Sequence, residues 1–274
     1  MKKYAAGFLL VVLIGFPGFP LFAENDTVHF VIAPPPVGYP EIKKGEKIYQ
    51  AGTDALFFTT DLNSEKLIVL GATAFGNYQE SFTDWFTASL NFGGSFMAGS
   101  KYSMMILSLP LHMNGILELL DTEGFDLYLF GGGGGDLSVS MMIMSMPKPT
   151  PSATTLISFD TTFTTTSVNG MVNCGAQAHI TAGNLVFSPF GSWTYSGGTY
   201  TTTRKDATYE EFEPVSGSIE NYSSTVFGFD VLYKPKDISL SSQLRFTDNY
   251  TMLSVAVKWL VDGFLPKPKG KIQE

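Results

Sequence analysis

The sequence predicts an all-β fold: a closed antiparallel transmembrane β-barrel of about twelve strands, with eight to ten as the alternative. Three observations predict it. The stretch Asn221 to Phe264 holds three runs of apolar/polar alternation, each roughly ten residues long, the length a tilted strand needs to cross a bilayer. Only 15% of the 274 residues are charged while 14% are aromatic, with 23 Phe, 12 Tyr and 28 Gly. That is little charge for a soluble domain and too many aromatics for a disordered chain. Outside the N-terminus no apolar run reaches the roughly 18 residues of a membrane helix, so the apolar residues are spread in alternation.

The chain opens as a secretory signal. Lys2 and Lys3 precede an apolar core from Phe8 to Ile14, too short to span a membrane and interrupted by Gly15, Pro17, Gly18 and Pro20. Cleavage is expected after Ala23. Removing residues 1–23 leaves 15 basic against 25 acidic residues, a net charge of −10, which argues against a nucleic-acid partner. Residues 24–53 read as a periplasmic or lumenal arm, because Pro34-Pro-Pro-Val-Gly-Tyr-Pro40 cannot sit in a central strand and Glu41 to Lys47 is charged.

The barrel is assigned to residues 54–264 and a tail to 265–274. Asp54 to Asp61 and Lys66 to Gly76 flank the turn signal Leu62-Asn-Ser-Glu65. Asp84 to Phe96 and Tyr102 to Leu111 follow, while 112–120 could extend a strand or form a short helix. Phe125 to Phe130 is a strand ending at five glycines, Gly131 to Gly135. A phosphate loop there would need a Lys-Ser/Thr and a helix next, but Asp136 and a strand-like run follow. The glycines are read as a strand tip or a place of close backbone approach. Met141 to Met146 is lipid- or core-facing filler, since no His or Cys accompanies it as a copper site would require. Pro147-Lys-Pro-Thr-Pro151 is a break. Thr154 to Ser167 and Met171 to Thr181 are strands joined by Asn169-Gly170, a tight-hairpin signal. Gly183-Asn184 turns into Leu185 to Ser196, and the polar stretch Gly197 to Glu220 is read as a surface loop.

The final meander is the clearest part. Phe227, Phe229, Val231 and Tyr233 share one face of Ser224 to Tyr233. Ile238, Leu240, Leu244 and Phe246 share one face of the next run. Leu253, Val255, Val257, Trp259 and Val261 share one face of the last. Lys234-Pro-Lys-Asp237 and Asp248-Asn249 supply turn chemistry between them. Aromatics lie near the strand ends, with Tyr222, Tyr233, Tyr250 and Trp259 placed as interfacial residues.

On these strands the chain resembles the C-terminal part of a bacterial, Gram-negative-type outer-membrane β-barrel, and Ser188-Pro-Phe-Gly191 resembles a strand entry of that class. The resemblance is to a broad class. It implies export to the cell outer membrane, contact with outer-membrane lipid and insertion by the barrel-assembly machinery. It also implies short periplasmic turns and longer outer loops. With the last strand ending in the periplasm, Lys234–Asp237, Gly183-Asn184 and Pro147–Pro151 come out periplasmic, and Asn169-Gly170 and 197–220 outside.

No catalytic, cofactor-binding or metal-ligating set is read. His29, His112 and His179 are not at metal-ligand spacing. The lone Cys174 has no base or cation beside it and reads as a buried or lipid-facing small residue. His179 and Thr181 share a face and faintly resemble the histidine-plus-hydroxyl pair of outer-membrane lipid A deacylases, but the hydroxyl is Thr and no acid partner is evident. Asp230, Arg245 and Lys258 fall on the polar faces and must point into the lumen if the other faces meet lipid. There they would set the ion preference of a small passive channel admitting small solutes or ions, or form a structural ion-pair network. The expected function is therefore a porin-like pore. A non-conducting structural or adhesive barrel and a lipid-modifying enzyme are the alternatives.

Overall fold

The computed structural model describes residues 42–62, 65–100, 103–148, 157–206, 212–247 and 250–261. The signal segment, the proline-rich part of the arm, the 265–274 tail, His29, Asp248-Asn249 and most of Pro147–Pro151 lie outside the described residues. Ten strands are seen: β1 Lys47–Leu62, β2 Glu65–Thr83, β3 Phe86–Gly99, β4 Met105–Thr122, β5 Phe125–Lys148, β6 Ile157–Ala182, β7 Leu185–Asp206, β8 Val215–Tyr233, β9 Ile238–Thr247 and β10 Tyr250–Leu260. Each pairs antiparallel with its sequence neighbours, and β1 closes on β10 with Gln50 opposite Leu260 and Thr60 opposite Tyr250. The wall has no free edge where it closes, which is the condition for strands to cross hydrocarbon.

The count is ten rather than about twelve because two expected breaks lie inside strands. Gly131 to Gly135 runs through the middle of β5, paired with β4 on one side and β6 on the other. Asn169-Gly170 lies inside β6, opposite Asp136-Gly135 and Gly198-Gly197, so it is no hairpin. Residues 112–120 continue β4 as strand. The supposed surface loop Gly197 to Glu220 is largely strand as well, with β7 reaching Asp206 and β8 starting at Val215. β1 begins at Lys47, inside the stretch assigned to the arm.

The two ends of the barrel differ. The end that carries both termini has tight turns. Gly124 (φ +81°) and Gly183 (φ +61°) adopt the left-handed conformation that two-residue hairpins demand. A single 3-10 turn, Lys234–Lys236, joins β8 to β9. At the far end the wall is uneven. β9 and β10 have 10 and 11 residues, enough to cross a bilayer, whereas β5, β6 and β7 have 24, 26 and 22. β5 to β8 therefore rise beyond the rest as a projecting sheet. Asn169-Gly170 misled for another reason: Asn169 faces the bore while Gly170 sits on the outer wall between Val168 and Val172, so a polar residue followed by glycine inside a strand imitates a tight turn. The break around Pro147 sits at this far end, opposite to the end assigned from parity, because the false hairpin at 169–170 inverted the count.

The outer face is apolar. Leu107, Leu109, Leu111 and Met113 of β4 are each more than half exposed, and Phe227, Phe229, Leu240, Leu244, Val255 and Val257 continue the belt. Exposed apolar surface on this scale is what a lipid-facing wall presents. Val255→Arg, near the middle of β10, should lower unfolding stability in lipid vesicles by about 2–4 kcal/mol. Trp259→Arg, close to the barrel edge, should cost about 0–1 kcal/mol. Urea titration of the two variants measures the difference, and equal losses would contradict a bilayer around this belt.

Candidate functional site: the filled bore

The inward faces of the ten strands follow from the same alternation. Even residues of β1, β4, β5, β7, β10 and most of β8 point in, as do odd residues of β2, β3, β6 and β9. At the far end the bore is plugged by an apolar cluster of Leu56, Phe58, Leu67, Val69, Met97, Met104, Ile106, Tyr250 and Met252, all buried. Met142 of the methionine run packs against it. Below it the lining turns polar.

Toward the termini, Lys258 Nζ and Asp230 Oδ1 form an ion pair at 2.9 Å, one from β10 and one from β8. Beside them on β6, His179 contacts the Gln177 side-chain amide and packs at a tilt against Tyr128, with ring centroids 4.7 Å apart. Across the bore Asn77 donates to Asn91, and Gln79 donates to Asn77. Higher up, Ser108 donates to Asp136, and Arg245 and Asp136 both bear on the Tyr222 phenol.

Asp230, Arg245 and Lys258 thus all face inward, at 4%, 3% and 5% of their full exposure. His112 and His179 are as deeply buried. Of the four aromatics expected at the interface, Tyr233 and Trp259 lie on the outer face. Tyr222 and Tyr250 do not. Tyr250 shares the parity of Met252, Ser254 and Lys258, so it points into the bore and packs in the apolar cluster. The Tyr222 hydroxyl is buried because Tyr222 shares the inward parity of Ser224, Val226 and Asp230; the register shift beyond it changes parity only at Ile219. Cys174 is exposed on the outer wall. His179 sits near the Gly183 turn, at the termini end, and faces the bore rather than lipid. The surface placement that a lipid-modifying histidine requires is not met.

Asp54, Thr73 and Ser95 were not singled out in the sequence. Each lies on the inward parity of its strand, but the row they form depends on the register of β1, β2 and β3, which no local pattern states.

A closed bore filled by side chains, an apolar belt and strands of bilayer length settle the fold. The chain is folded as a transmembrane barrel. No family model matches the sequence, and no curated protein matches it. Solved structures do resemble it. The outer membrane protease OmpT from Escherichia coli is similar at 8% identity, covering 78% of this chain and 96% of that one, with a TM-score of 0.48. The translocator domain of autotransporter NalP from Neisseria meningitidis matches at 10% identity over 78% and 87%, with a TM-score of 0.46. An outer membrane channel from Pseudomonas putida F1 matches at 11% over 82% and 100%, with a TM-score of 0.40. Likenesses this distant are likenesses of shape.

Proposed function

We propose that the chain is an outer-membrane barrel that does not conduct, a structural or adhesive platform working from its far-end sheet. One observation carries this reading: the bore side chains have almost no accessible surface. Arg245, Lys258, Asp230, His112, Gln177 and Gln79 range from 0% to 5% exposed. Walls of a water-filled pore would be wet at these positions. Barrels of eight strands are just wide enough for side chains to fill, and ten strands remain near that limit. The charges expected to line a pore are instead spent on each other, as in the Lys258–Asp230 pair.

The projecting sheet of β5 to β8 supports the second half of the reading. Its strands are knitted by hydroxyls, with Thr165 bonded to Thr202 and Thr201 to Ser216, and Thr161 donating to Asp206. Arg204 packs its guanidinium over the Phe212 ring, 4.4 Å from its centroid. Such cross-strand pairs keep a sheet ordered in water. With the short turns on the periplasmic side, this sheet stands outside the cell.

The test is single-channel recording in a planar bilayer, with insertion verified by resistance of the folded band to unheated denaturing gels. Silence is the expected result. Stable, stepwise conductance would overturn the proposal and reinstate a passive channel.

A further inference from the structure

We infer that the bore holds a binding site for one monovalent cation, built on Asp54. Asp54 points inward from β1 and is 6% exposed. Its Oδ2 accepts a hydrogen bond from Ser254 Oγ of β10 at 3.1 Å, and its Oδ1 has no partner among the described residues. The other buried lumenal carboxylates have partners from a cation or from neutral side chains. Asp230 pairs with Lys258. Asp136 takes the Ser108 hydroxyl and lies against the Asn169 side chain. Asp54 has no cationic side chain within ion-pair distance among the described residues.

The surroundings supply hard oxygen ligands. Thr73 is the register partner of Asp54 on β2, and Ser95 is the partner of Thr73 on β3. Both are 3% exposed; the Thr73 side chain bears on the Asp54 carboxylate, and the Ser95 hydroxyl has no hydrogen-bond partner among the described residues. Adjacent strands lie about 4.8 Å apart, so four oxygen-bearing side chains (Ser254, Asp54, Thr73, Ser95) form a row on neighbouring strands. Apolar groups shut the row above and below. The Phe75 ring covers the bare backbone of Gly52 on one side, and Met97 covers Gly71 on the other.

Carboxylate and hydroxyl oxygens select hard cations. A single carboxylate neutralises a monovalent ion, whereas a divalent ion needs more anionic ligands or several waters. A buried ionisable group in a membrane-spanning segment points to function by default.

The folded protein in detergent micelles tests this by thermal unfolding in sodium, potassium, calcium or choline chloride at fixed ionic strength, which holds screening constant. Sodium at a hundred times its dissociation constant should raise the midpoint by about 5 °C over choline. Asp54→Asn should lose that response. Ser95→Ala should need several-fold more sodium for the same shift over its own midpoint in choline. If Asp54→Asn does not fold, broadening of the sodium-23 resonance by the wild type and its loss in Ser95→Ala decide the matter. A wild type indifferent to cations, as a protonated Asp54 would make it, overturns the inference. So does a response to calcium alone, or one kept by Asp54→Asn. None of these outcomes depends on whether the barrel conducts.

Discussion

Lys258→Met should destabilise the folded barrel by about 3–5 kcal/mol, because it leaves the Asp230 carboxylate buried without its partner. The pair is tight, at 2.9 Å, and both members are nearly inaccessible, so no solvent replaces the lost charge. The double replacement Lys258→Met with Asp230→Leu should recover most of the loss, since exchanging a whole buried pair for apolar groups is often neutral. A double-mutant cycle from urea titrations in lipid vesicles measures the coupling. Near-additive losses would mean that the two charges do not act as a pair.

Gly132→Val should prevent refolding or cost about 3 kcal/mol or more, while Gly131→Val one residue away should be tolerated. Gly132 faces the bore, and a Cβ there would come within 1.9 Å of the Met113 carbonyl oxygen and 2.7 Å of Asn114. Backbone cannot yield as a flexible side chain would. Gly131 faces outward, and its nearest neighbour would be 3.5 Å away, an ordinary contact. The ratio of folded to unfolded bands after refolding into detergent reads both variants. The glycine run is thus a device for letting β4 side chains, His112 and Asn114 among them, lie close against β5.

The meander was legible because β9 and β10 do nothing except cross the bilayer. There the period-2 pattern is uninterrupted, and the run with Ile238, Leu240, Leu244 and Phe246 on one face is the observed strand Ile238–Thr247. Legibility fails where a strand leaves the lipid. β6 has Val168 and Val172 on its outer face but a threonine run above them, so one strand read as two. Gly131 to Gly135 failed differently, because glycine signals a break and a close approach equally well. The inward placement of Asp230, Arg245 and Lys258 followed from parity alone. That the bore around them is packed could not, since it depends on residues from all ten strands at one height. Tyr222 and Tyr250 were misplaced because nearness to a strand end was weighed above parity.

The closure of β1 on β10 bears on how the molecule comes into being. The Ser254–Asp54 hydrogen bond joins residues 200 apart in sequence, and Gln50 meets Leu260. β1 precedes the other nine strands, yet one of its flanks stays unpaired until β10 has emerged. A nascent chain in that condition carries a sticky margin, liable to pair with a stranger and aggregate. Non-local closure is also slow. The oxygen row at Asp54 is completed only when the ends meet, so an ion held there would report that the ring has shut.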